Sequence, residues 1–257
     1  NTNSCIAIGN TALAGPAPFT DATCDTGSNT TVACGSSSTI AVGQYVTGSG
    51  IPAGTTVATV NSAGSVTSFT ISQAATTSLT DTTLTFWGNT GDNNIAIGHN
   101  TMDAITTGTR NVAIGSGSTT TLSSGDDTVA IGHDALSAFT GSDATAVGAY
   151  AADVAVGNGN LVAIGKNAYG SATSGDNNTA VGTSSLSLMV SGDSNTALGY
   201  GTGLNATGNR NTLIGGSAGY YPTSIDDCVA VGYHALLGSS GNTTGNFNIA
   251  VGNYALD

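Results

Sequence analysis

Asn94-Ile95-Ala96-Ile97-Gly98 decides the fold, because the chain repeats it almost to its end. It returns as Asn111-Val112-Ala113-Ile114-Gly115 and as Thr128-Val129-Ala130-Ile131-Gly132. The closing glycines are Gly9, Gly98, Gly115, Gly132, Gly148, Gly165, Gly182, Gly199, Gly215, Gly232 and Gly252. From Gly98 to Gly232 successive glycines lie 16 or 17 residues apart, and the last interval is 20. A short, regular period indicates stacked coils of chain. Within each unit apolar residues alternate with a period of two, the signature of a strand. The expected fold is all-β: a parallel β-roll or β-solenoid of 16–17-residue coils, with a small inserted β domain near the N-terminus.

Columns emerge when the units are aligned on the closing glycine. Seven residues before it lies a second glycine (Gly108, Gly125, Gly192 and others), predicted to be a corner with positive φ. Four before it is asparagine (Asn94, Asn111, Asn178, Asn195, Asn211, Asn248), placed for a ladder of hydrogen-bonded amides along the axis. One before it stands Ile, Val or Leu, predicted to form the core with Met102, Leu136, Tyr169, Leu186, Leu204, Leu236 and Leu256 beyond the glycine. The alanines between (Ala96, Ala113, Ala130 and onward, broken by Leu213) are then expected to form a flat outer face.

Three domains follow: residues 1–13 as a first coil, 14–88 as the inserted β domain, and 89–257 as the array. The insertion carries Pro16, Pro18, Pro52 and the only Trp, with short alternating runs at 39–42, 55–60, 68–71 and 83–86. Cys24 and Cys34 flank a Gly/Ser/Asn turn and are expected to staple a hairpin by a disulfide.

Of 257 residues only 7% are charged, and the formal net charge is −12. The three strong cations, Arg110, Lys166 and Arg210, cannot neutralise a phosphate backbone, which excludes nucleic acid as a partner. No apolar run is long enough for a membrane-spanning helix, and the charge opposes docking on anionic lipid. The chain begins at Asn1 without an initiator Met, as expected of a processed or excised form. With the cysteine pair and the Thr/Ser-rich composition, this points to an extracellular or cell-surface location, or to a virion fibre.

The units Asn-x-Ala-Ile-Gly-x-x-Ala-Leu, seen best at 128–136 and 248–256, resemble the head repeats of trimeric autotransporter adhesins and related repeats of bacteriophage tail fibres. The resemblance covers residues 1–13 and 89–257. It implies a left-handed parallel β-roll, commonly three chains side by side, and a role in surface attachment. Neither a heptad stalk nor a membrane-anchoring segment accompanies it.

Catalysis is not expected. No Ser or Cys has a sequence-supported His partner, and His99 and His133 stand two coils apart, too far to share a zinc ion. Glycine clusters such as 199–203 lack the following helix that a phosphate loop requires. Asp176 and Asp193 occupy one column in consecutive coils, where calcium is the only metal with a rationale. Since the calcium-binding nonapeptide is absent, turn formation and solubility account better for the aspartates, and no cofactor is expected.

The partner expected first is the chain itself. The array starts and stops within a repeat, so the unpaired edges suggest head-to-tail stacking through Ile6, Ile8, Leu13, Ile249, Val251 and Leu256. Cys5 and Cys228 share the asparagine column and are candidates for an intersubunit disulfide, with buried free thiols as the alternative. The leading expectation is therefore an extracellular structural and adhesive fibre subunit. A side-by-side trimer of the tail-fibre or adhesin-head kind, binding a surface receptor or glycan, is the alternative.

Overall fold

The computed structural model describes residues 5–9, 19–37, 40, 42, 44–53, 55–61, 66–87, 91–157, 159–222, 224–239 and 245–257. Two compact units result: Asn1–Leu13 with Asp92–Asp257, and Ala14–Gly91. Strand β1 (Ile6–Ile8) belongs to the first. The second holds β2 (Phe19–Thr26), β3 (Thr31–Ser37), β4 (Tyr45–Gly48), β5 (Val57–Val60), β6 (Val66–Ile71) and β7 (Leu79–Trp87). The first resumes with β8 (Ile95–Ile97), β9 (Val112–Ile114), β10 (Val129–Ile131), β11 (Ala144–Val147) and β12 (Leu161–Ile164). It ends with β13 (Thr179–Val181), β14 (Thr196–Leu198), β15 (Thr212–Ile214), β16 (Val229–Val231) and β17 (Ile249–Val251).

The fold is the β-solenoid that the repeat predicts. One parallel sheet runs β1-β8-β9 and onward in chain order to β17, each short strand lying on its counterpart in the next coil. Ala96 pairs with Ala113, and Ala113 with Ala130, so the sequence columns are physical columns. Backbone bonds hold each step: Gly115 N donates to Ile97 O at 2.8 Å, and Ile95 N to Asn111 O at 2.8 Å. Eleven strands at about 4.8 Å spacing make this sheet roughly 48 Å long. Because β1 pairs directly with β8, the 14–91 unit is looped out without disturbing the register.

The two faces of the strands are reversed from the sequence expectation. Ala96, Ala113, Ala130, Ala146, Ala163, Ala180, Ala197 and Ala230 are wholly buried, whereas Ile131 is 37% exposed and Leu198 47%. The core is built from large side chains in the turns. Met102, Leu136, Tyr169, Leu186 and Leu236, four residues past each glycine, join Ile105, Leu122, Phe139 and Met189 against the alanines. A coil this short encloses a narrow interior, and a turn-borne Leu already fills it. Leu204, one residue beyond this column, is half-buried, and Leu256 at its end is exposed.

Volume matching at Leu213 shows how tight the interior is. Where leucine replaces the column's alanine, glycine replaces the facing leucine in its own and the preceding coil. A Cβ on Gly203 would meet Leu213 Cδ1 at 2.8 Å, and one on Gly219 would meet Leu213 Cδ2 at 3.0 Å. The two glycines make the room that the larger side chain needs in a close-packed interior.

The glycine columns divide their roles differently from the expectation. The closing glycines adopt φ of +125° to +143°, and in addition a Cβ at Gly115 would overlap the Gly132 carbonyl of the next coil. Of the earlier column, Gly175, Gly192 and Gly245 take positive φ as expected, whereas Gly108, Gly125 and Gly208 do not; a Cβ on these three would strike the carbonyl above. Close stacking, not a corner, demands glycine at those positions. The left-handed corners are carried by other residues, among them Arg110, Asp127, Asn177 and Arg210 five before the closing glycine.

The 14–91 unit is a six-stranded antiparallel sheet, β4-β7-β2-β3-β6-β5. Its core contains Cys24, Val32, Val46, Val57, Phe69, Ile71, Leu84 and Phe86, with Phe69 and Phe86 edge to face at 5.4 Å. The strand expected at 39–42 is absent at its described positions: Val42 lies in an exposed turn, while Ile40 is buried.

Candidate functional site

Two ladders of side chains tie the coils together. Asn111 Nδ2 donates to Gly125 O at 2.8 Å, and its Oδ1 accepts from Thr128 N at 2.9 Å, both in the next coil. Asn94, Asn178, Asn195 and Asn211 repeat the arrangement. The expected amide-to-amide bonds are a minor part of it, present between Asn178, Asn195 and Asn211. Buried amides are satisfied this way, and each asparagine specifies the register of the coil above.

Cys228 occupies this column. Its N–H donates to Asn211 Oδ1 at 3.0 Å, its thiol to Asp226 O at 3.4 Å, and its sulfur accepts from Asn248 N at 3.4 Å. The thiol is free and wholly buried, standing in for the asparagine amide. Cys5 precedes β1, nine strand spacings or about 43 Å away.

The second ladder takes up the aspartates considered for calcium. Gly159 N donates to Asp176 Oδ1 at 2.9 Å, and Asp176 N to Asp193 Oδ1 at 2.9 Å. Thr109 N and Asn209 N donate likewise to Asp126 and Asp226. The column is thus explained by backbone donors that would otherwise face outward unpaired. Among the described residues no group of three or more His, Cys, Asp or Glu is placed to hold a metal ion. One residue further on, Arg110 and Arg210 each grip an aspartate of the next coil, Asp127 and Asp227, with paired bonds of 2.6–2.8 Å. The guanidinium holds each carboxyl below the usual carboxylate range.

Cys24 and Cys34 are brought together. The register of β2 on β3 pairs Asp25 with Ala33, which sets the two cysteines opposite one another. The expected disulfide is not formed in this structure; the two side chains are in hydrogen-bonding contact, and burial pushes Cys24 up to about 12.

The surface of the array is dominated by the face that the alanines leave outside. On these strands the residues three and one before the closing glycine point outward, as Ile95 and Ile97, Val112 and Ile114, Val129 and Ile131, Val162 and Ile164, Val229 and Val231, with Thr145, Thr179, Thr196 and Thr212 at the first of the two positions on β11, β13, β14 and β15. At the first and last strands this face is open, with Ile6 at 51%, Ile8 at 59%, Ile249 at 72% and Val251 at 67% exposed. Leu13, named with them as an assembly residue, lies outside the described residues.

A second surface feature escaped the sequence reading. Tyr200, Ser217, Tyr220, Tyr221, His234 and Leu237 line a groove beside the last coils. Tyr233 stacks on His234 at 4.0 Å, and Tyr254 meets both edge-on at 5.6 and 5.3 Å. The available signal was local composition: five of the eight tyrosines fall between 200 and 254.

Among the described residues no helix is long and apolar enough to cross a membrane. In comparisons with protein families, with curated proteins and with solved structures, nothing was found to match this chain.

Proposed function

We propose that this chain is an extracellular structural and adhesive fibre subunit whose array packs side by side with copies of itself. The observation that carries the reading is the outward face: the column one before the closing glycine is Ile, Val or Leu on all eleven strands, and the column three before it is Ile or Val on seven and Thr on β11, β13, β14 and β15. Contiguous apolar surface of this kind marks an interaction site. Removing it from water stabilises contact by about 25 cal/mol per Å². Every copy presents ridges at the same coil pitch, so two arrays can match along their length, and a cyclic arrangement closes the contact. The trimer implied by the resemblance to adhesin heads and tail fibres is one such arrangement. Attachment to a surface receptor or glycan, and an extracellular or virion location, rest on that resemblance.

Light scattering coupled to size exclusion tests the reading. A multiple of the 24.9 kDa protomer is expected. The double variant I131D/I164D, with carboxylates on two half-exposed positions of the face, should be monomeric with an unchanged circular dichroism spectrum. A monomeric parent chain, or a variant that assembles as the parent does, overturns lateral packing.

End-to-end stacking is the second reading, favoured by the edges at β1 and β17. Ile249, Val251, Tyr254 and Leu256 are each more than half exposed and would be covered by a further coil. Negative-stain images decide between the two: long filaments that disappear when residues 1–13 are removed support stacking, and discrete short rods refute it.

A further inference from the structure

We infer that the aromatic groove of the last coils is a binding site for a neutral oligosaccharide. The inference does not rest on lateral packing; it concerns the turn side of the coils, not the strand face. Six aromatic rings gather there, although the core needs none of them. Tyr200 is 68% exposed, Tyr254 57% and Tyr233 48%. Isolated exposed rings need no explanation, but two groups of rings in contact, gathered about one groove, do. Tyr220 and Tyr221 meet edge to face at 4.8 Å, and His234 joins the groove wall to the Tyr233–Tyr254 cluster. Rings fixed this way lose little freedom on binding.

The chemistry of the lining selects the ligand. A ring's negatively polarised face accepts the C–H face of a sugar, while phenol, hydroxyl and imidazole groups offer donors and acceptors for its hydroxyls. The lining residues Tyr200, Ser217, Tyr220, Tyr221, His234 and Leu237 include no carboxylate, amine or guanidinium. An acidic or cationic ligand would therefore find no counter-charge, and the net charge of −12 repels polyanions. A neutral polyhydroxylated chain satisfies both conditions. Elongation is suggested by a second hollow on the same turn columns three coils earlier, which includes Tyr150, Asn167 and Ser187 together with one carboxyl, Asp153, that burial pushes towards its neutral form. Corresponding positions of the two hollows stand about 14 Å apart, so a linear oligosaccharide can lie along the axis.

The test titrates the full-length chain with cellohexaose, maltohexaose, mannohexaose and N-acetylchitohexaose, followed by calorimetry and tyrosine fluorescence. Saturable binding of at least one is expected. Tyr200→Ala and Tyr221→Ala should each weaken it about tenfold, a typical loss for an aromatic anchor, with melting unchanged. I131D/I164D should bind as the parent does, separating this site from self-association. Failure of all four sugars to bind, full affinity in both tyrosine variants, or preference for a sialylated ligand overturns the proposal. Equal capture of a glycoprotein before and after deglycosylation would reassign the groove to a protein partner and overturn it too.

Discussion

Tyr169 illustrates how much a single side chain is asked to do inside a narrow coil. It takes positive φ, is wholly buried, and its hydroxyl accepts from Asn178 Nδ2 at 2.9 Å while donating to Gly175 O at 3.2 Å. Burial pushes its phenol up to about 12 from an ordinary 10.0. A raised folded-state value means that its contribution is complete below pH 10. It is lost as pH rises towards 12, because the unfolded chain ionises first. Two units correspond to about 2.7 kcal/mol. Denaturant titrations at pH 8 and pH 11.5 should show a smaller alkaline loss in Tyr169→Phe than in the parent. Equal losses would show that the phenol titrates freely.

At the scale of the element, strand orientation is the feature most open to experiment. Ala130 has no exposed surface, and Ala113 and Ala146 lie directly above and below it. Ala130→Leu should destabilise the array by about 1–3 kcal/mol through overpacking. Ile131→Ala, on the outer face, should cost under about 1 kcal/mol in a dissociated chain and weaken self-association instead. Thermal melts of the two variants at low concentration check the order; the opposite order would restore isoleucine to the core. The coil boundaries, the parallel pairing and the asparagine columns were legible from the spacing alone. Which strand face points inward was not, since alternation fixes a period and leaves its phase open. Leu213 could have revealed it: glycine at 203 and 219, where most other coils carry a large apolar residue, signals a shared interior.

For the whole molecule, the 14–91 unit and the array have separate cores. Excising residues 17–88 would place Gly9 and Gly98 17 residues apart, the regular interval. β1 and β8 already pair through Ile6–Ile95, Ala7–Ala96 and Ile8–Ile97, so the shortened chain should keep the array's melting transition while losing that of the inserted sheet. Loss of both transitions would show that the array depends on the insertion. Calorimetry resolves the two.

The aromatic groove belongs to this scale as well. Its residues occupy positions one, two, five and six beyond the glycines of successive coils, and no single repeat contains it. Cys24 and Cys34 are the opposite case, adjacent across one hairpin and readable from ten residues of sequence.

By itself the sequence determined the coil length, the parallel stacking and the columns, because a chain that repeats in register must place like residues on like. Only the tertiary structure decided that alanine faces inward, that glycine at Gly108 and Gly125 serves close stacking, and that the tyrosines of separate coils converge. Those outcomes depend on the width of the coil interior and on contacts between coils, quantities that no local pattern encodes.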